Sequence, residues 1–229
     1  MRSKHYHTAI SFNGCEIKDM PYSYFKTIAS VKKAFGLETK EGKRLFSNLP
    51  PVQPSQMLTR YLEQTLPLAS VGSEKARSEL IISPILVEVR QIFNQEISIF
   101  SGEDFTVDEL LGLNGVCDFL ISRSPEILSI EAPVIVLVEA KKADIASGFG
   151  QCVAEMVAAQ RFNQEQGRLI EDIYGVVTNG ILWRFLRLSG TTVSVDSVDY
   201  SIPPVDEVLG ALVWILQQSS FKPEKIEIV

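Results

Sequence analysis

The sequence predicts an α/β protein, a sandwich with a mixed central sheet flanked by helices. Three observations carry that prediction. The run "VIVLV" at 134–138 is too short for a helix and has no polar alternation, so it reads as a strand buried on both faces. Asn179-Gly180 joins two further β-rich runs and is the strongest short-range hairpin signal in the chain. Between them, "SGFGQCVAEMVAAQRFNQEQG" (147–167) has the composition of a helix that starts at a Ser147 cap and closes at Gly167.

The other elements follow in order. "YSYFKTIASVKKAFGL" places Phe25, Ile28, Ala29, Val31 and Phe35 at near-helical spacing and ends at Gly36. "NLPPVQPSQ" (48–56) holds three prolines and reads as a linker, followed by a short helix over "SQMLTRYLEQTLPLA". Residues 1–70 are therefore expected to form a helical lead-in, and residues 71–229 the α/β domain. "SEKARSELIISPILVEVRQIFN" (73–94) predicts a long helix with Ser73 as N-cap, Glu74 in the first turn and a bend at Pro84. "EISIFSGEDFTV" predicts a strand with a turn at Ser101-Gly102. "GVCDFLIS" (115–122) and "APVIVLVEAK" (132–141) predict two more, separated by the turn-rich "RSPEILSIE". "IYGVVTNG", "LWRFLRL" and "TTVSVDSVDY" are the remaining strands, and "VDEVLGALVWILQQS" (205–219) is a closing helix.

Composition narrows the class. Hydrophobic residues make up 45% of the chain, which gives it enough apolar surface to fold around a core. Nothing approaches the roughly 18–20 apolar residues of a membrane span, and no apolar stretch follows the basic start "MRSKHYHTAI" as a signal peptide requires. Cys15, Cys117 and Cys152 are odd in number and scattered, so no disulfide framework is expected and a cytoplasmic setting is. His5 and His7 are the chain's two histidines, too few for a histidine-based zinc site. There is no G-x-S-x-G elbow. Twenty-eight acidic residues against 22 basic ones leave a net charge of −6, which argues against tight nonspecific binding to nucleic acid but leaves a local basic patch open.

The apolar run 134–138 ends in Glu139-Ala140-Lys141-Lys142. Side chains alternate along a strand, so Glu139 and Lys141 share a face. Asp118 stands in the middle of the otherwise apolar "GVCDFLI", with Val116 and Leu120 on its own face and Cys117 and Phe119 on the other. A carboxylate there needs a partner or a metal. Adjacent strands would bring Asp118 and Glu139 together, and two close carboxylates repel unless a cation sits between them. Mg²⁺, which takes hard oxygen ligands, suits two carboxylates and a backbone carbonyl. A lysine beside it can position the water or offset phosphate charge.

Asp118, a 20-residue gap and Glu139-x-Lys141 at the end of an apolar strand, with a helix directly after, resembles the PD-(D/E)XK nuclease superfamily, the restriction endonuclease-like fold. The resemblance covers about residues 73–200. "SEKARSELIISPIL" and "VVTNGILWRF" are similar to segments of the amino-terminal nuclease domains of type I restriction subunits, and Cys117 stands where many members carry proline. The resemblance implies that Asp118 and Glu139 are metal ligands together with the Ala140 carbonyl, that Lys141 is catalytic and that Gln151 lies near the site. It also implies a first-helix acid. Helical spacing aligns Glu74 with Ile81, Ile85 and Ile92, and sets Glu79 roughly 140° away as the second choice.

The expected function is thus that of a prokaryotic-type nuclease using Mg²⁺ or Mn²⁺, acting on nucleic acid, with DNA as the substrate and a homodimer as one arrangement for cutting two strands. The alternative is a non-catalytic scaffold that keeps the fold and binds a partner through residues 1–70. Plainer readings stand beside these. Glu139 and Lys141 form a same-face pair at a strand end. Asp118 is a buried carboxylate accepting backbone N–H groups, and Gln151 and Glu74 are ordinary helix residues. Lys142 and Arg161 are solvated charges, Cys117 and Cys152 small buried hydrophobes, and Trp183 and Trp214 core residues, with Trp183 as a base-stacking platform the less simple reading.

Overall fold

The structure is a computed structural model and describes residues 21–40 and 42–218. His5, His7 and Cys15 lie outside the described residues. In chain order the strands are β1 (Glu38–Lys40), β2 (Ser98–Asp104), β3 (Val116–Ser122), β4 (Val134–Ala140), β5 (Asp172–Thr178), β6 (Leu182–Ser189), β7 (Thr192–Val195) and β8 (Tyr200–Ser201). They form one sheet in the order β1-β7-β6-β5-β4-β3-β2, with β8 paired to β6. β4–β5 and β1–β7 are parallel and the other pairs antiparallel, so the sheet is mixed as expected. Every residue of β4 is buried, in keeping with its unbroken apolar run and its place between β3 and β5.

Helices cover both faces. Those in regular form are α1 (Ile28–Phe35), α2 (Gln56–Ser70), α3 (Glu74–Arg77), α4 (Ser83–Ile92), α5 (Phe149–Glu165) and α6 (Asp206–Gln218). α2, α4 and α6 pack with Val136, Val138, Val176 and Phe185 on one face. α1 and α5 pack with Leu120, Leu137, Val177 and Leu186 on the other. Residues before position 71 take part in this body directly: β1 pairs with β7, and Leu58, Leu62 and Ala69 of α2 are buried in the first core.

The helix expected over 73–94 is built in three pieces, with π geometry at Ser78–Ile82 between α3 and α4. Ser73 caps it, accepting from the Ala76 N–H at 3.2 Å. Pro84 explains the interruption. It has no N–H for the carbonyl of Leu80, and its ring would collide with that carbonyl in a regular helix. The wider turn relieves the clash, and the freed Leu80 carbonyl accepts from the Thr65 hydroxyl at 2.9 Å. Ile92 closes α4 and meets less of the core than the residues before it. Ile81, Ile82, Ile85, Leu86 and Val89 are buried, whereas Ile92, expected on the inward stripe, is 39% exposed.

Two turn assignments are corrected. β2 runs through Ser101-Gly102 as one strand; Gly102 takes a positive φ of 67° within it instead of reversing the chain. A 3₁₀ turn, Ile145–Gly148, precedes α5, and it is Asp144 that accepts from the Ala146 N–H, while the Ser147 hydroxyl donates back to the Asp144 carbonyl. Asn179-Gly180 does join β5 to β6, and the Asn179 side chain accepts from the N–H groups of Ile181 and Leu182.

Candidate metal centre

The antiparallel register of β3 with β4 ends at Phe119↔Val138. Just past it, the half-buried Asp118 turns its carboxylate onto β4, where Oδ2 accepts from the Ala140 N–H at 2.8 Å. The expected alternation breaks here. Leu120 and Phe119 face opposite cores as predicted, but Cys117 is buried on the same side as Leu120, and Val116 is exposed. The positive-φ Gly102 of β2 stands opposite Asp118, in a β2–β3 register that runs on unshifted from Ser101↔Phe119 to Glu103↔Cys117.

From β4, Glu139 emerges on the α5 side and is 1% exposed. Its Oε1 forms an ion pair with Lys141 Nζ. Its Oε2 accepts from the Gln151 amide at 2.8 Å. Lys141 is held on the sheet by its own N–H, which donates to the Thr178 carbonyl at 2.8 Å. Gly148 lets the start of α5 come this close to the sheet, and Gly150 lets the segment 25–27 cross α5. A Cβ at Gly148 would lie 2.7 Å from Val177 Cγ1, 3.1 Å from Lys141 Cε and 3.2 Å from Glu139 Cγ. A Cβ at Gly150 would meet the backbone of residues 25–27, 2.2 Å from the Phe25 carbonyl oxygen. The far end of α5 is pinned too, since the buried Asn163 amide exchanges two 2.8 Å hydrogen bonds with the backbone of Val134. Twelve helical residues from 151 to 163 span about 18 Å, and five strand steps from 134 to 139 about 17 Å. The two anchors therefore match in length, and α5 lies along β4 with Gln151 over Glu139.

Burial raises the carboxyls of this cluster. Burial pushes the Asp118 carboxyl up, against the pull of the Ala140 N–H and Lys141. Burial and then the Asp118 charge push Glu139 up to about 7, with Lys141 opposing. Burial pushes the Lys141 ammonium down, but Glu139 and then Asp118 outweigh it and hold the lysine protonated above its ordinary value. A further carboxyl, Glu155, lies one turn along α5 from Gln151. It is fully buried and held well above the usual range by burial and by the Glu139 charge. Its Oε1 accepts from the Gln151 amide at 3.1 Å, and its Oε2 is buried without a hydrogen-bond partner.

Asp118, Glu139, Ala140, Lys141 and Gln151 thus come together at one end of β4. Glu74 sits exposed at the start of α3, its charge close enough to act on Lys141, while the exposed Glu79 pairs with Lys75 at 3.4 Å. Lys142 is exposed and Arg161 pairs with Asp108 at 3.3 Å. Trp183 is fully buried, its indole N–H donating to the Gly180 carbonyl at 3.1 Å, so it offers no stacking surface. Glu155 and Gly148 were not singled out from the sequence. The signal for Glu155 was there: a charged residue four positions after Gln151, among Cys152, Val153, Ala154 and Met156, must face what Gln151 faces.

Among the described residues no three His, Cys, Asp or Glu side chains form a group able to hold a metal ion. A magnesium site does not require three, because the ion keeps several waters and binds through one or two carboxylates. Asp118 and Glu139 with the Ala140 carbonyl are the donor types of that set, and burial raises the Asp118, Glu139 and Glu155 carboxyls where, among the described residues, no cation stands beside them but Lys141. Compared with protein-family models, with curated proteins and with solved structures, the chain matches none.

Proposed function

We propose that this chain is a metal-dependent nuclease of the restriction endonuclease-like kind, hydrolysing phosphodiester bonds of DNA. The observation that carries the reading is the convergence of Asp118, Glu139 and Lys141 at the end of a buried strand, braced by Gln151. Asp118, Glu139 and the Ala140 carbonyl would hold Mg²⁺ or Mn²⁺. A bound ion of this kind lowers the pKa of its water and neutralises charge on the phosphate. Lys141, held protonated by Glu139, is the group that binds a phosphate oxygen and offsets the negative charge developing there. Gln151 keeps Glu139 in its rotamer.

The test is cleavage of DNA with and without Mg²⁺. Asp118→Ala is expected to abolish metal-dependent cleavage, and Lys141→Ala to lower it roughly 10²–10³-fold. Cleavage that survives both changes sinks the assignment. A second reading, a non-catalytic scaffold, is favoured by one observation: Glu139 is almost fully buried, with both oxygens already taken by Lys141 and Gln151. Calorimetric titration with Mn²⁺ near neutral pH separates the two, since a scaffold gives no binding heat.

A further inference from the structure

We infer that Glu155 is a positioning residue: it clamps the Gln151 side-chain amide so that its NH₂ is aimed at Glu139. Gln151 donates from one nitrogen to two carboxyl groups, Glu139 Oε2 at 2.8 Å and Glu155 Oε1 at 3.1 Å. In this orientation the amide NH₂ faces an acceptor oxygen on each of the two carboxyl groups. Glu155 is 0% exposed and sits on the same helix as Gln151, one turn on, so its own place is fixed by packing and not by solvent.

What makes Glu155 more than a core residue is its cost. One oxygen, Oε2, is buried with no partner, and such a group destabilises a fold that gains nothing from it. An apolar side chain of similar length would stand near Cys117 and Cys152, on which the Glu155 charge acts, without that cost. Glu155 accepts from Gln151, and Gln151 passes the constraint to Glu139. Residues that orient a ligating side chain in this way typically change metal affinity about 10–100-fold when removed.

The inference rests on the metal reading of Glu139 for its affinity readout alone, and the experiment has a second readout that needs no metal. In the full chain, the ¹⁵N-labelled side-chain amide of Gln151 is followed by NMR while Mn²⁺ affinity is measured by calorimetry. In the wild type both Gln151 amide protons are expected to be hydrogen-bonded and slow to exchange; exchange at the rate of a free amide overturns the proposal without any variant. Glu155→Met is expected to release the Gln151 amide signal and weaken Mn²⁺ binding about 10–100-fold, while the melting temperature holds or rises. Glu155→Gln keeps the acceptor oxygen and is expected to stay close to wild type in both readouts, and it serves if the Met variant does not fold. An unchanged Gln151 signal in Glu155→Met overturns the proposal, as does a released signal with unchanged affinity, or a Gln variant as impaired as Met. If the wild type binds no Mn²⁺ while Glu155→Met still releases the Gln151 signal, the clamp stands and the metal reading falls.

Discussion

Glu139 combines the most demanding local chemistry in the molecule with almost complete burial. Its carboxyl is pushed up to about 7 by burial and by Asp118, from an ordinary value of 4.5. The folded state therefore binds its proton more tightly than the unfolded chain does, and stability falls with rising pH wherever that is so. The penalty of the ionised carboxylate is present in full above pH 7 and fades as pH drops towards 4.5. The metal-free protein is expected to melt at a higher temperature at pH 6 than at pH 8. Glu139→Gln should flatten that slope, leaving the part owed to Glu155, which is raised in the same direction. A melting temperature that climbs with pH over this window, in both proteins, contradicts the assignment. That Glu139 and Lys141 leave β4 on one face was legible in the sequence, because strand alternation and one apolar run sufficed to place them. Gly148 was not, because its reason is a close approach between α5 and β4 that no local pattern records.

At the scale of elements, the interrupted helix from Glu74 to Ile92 is the instructive case. Pro84 announced a bend, yet the resolution of that bend depends on Thr65, fifteen residues before Leu80 and on another helix. Thr65→Val keeps the shape and removes the hydroxyl, leaving the Leu80 carbonyl without this donor. It is expected to cost about 1–3 kcal/mol in urea unfolding. A cost near zero would mean that another group or water takes over the carbonyl. Helical arithmetic held for Ile81 and Ile85 and failed for Ile92, which is the last residue of α4, where the helix ends and less of the core is left to cover it. α2 has a parallel dependence on α4, since the buried Glu88 accepts from the Ser55 N–H at 2.6 Å and the Ser55 hydroxyl at 2.9 Å, fixing the residue that caps α2.

At the scale of the whole molecule, the first core joins residues far apart in sequence, from Leu58 to Leu216, around a sheet whose edge strand β1 comes from before the proline-rich linker. Full burial of Leu58 and Leu62 alone contributes roughly 3–6 kcal/mol, against a net stability of about 5–15 kcal/mol for a typical domain. A fragment comprising residues 71–229 is therefore expected to lose cooperative unfolding, read as the loss of a sigmoidal urea transition. A fragment that unfolds at the full chain's midpoint would restore the lead-in as a separate unit. β1 was not anticipated because Glu38-Thr39-Lys40 has no apolar signature, and its strand pairing is with the β7 backbone. By itself, the sequence determined the α/β class, the central strand β4 and the β5–β6 hairpin, since all of these follow from period and turn chemistry over short spans. Only the tertiary structure decided the π turn, the place of β1, the break in alternation at Cys117 and the clamp of Glu155 on Gln151. Each of those depends on which distant surface comes to lie against the residue, and contact between distant segments is set by packing and not by local pattern.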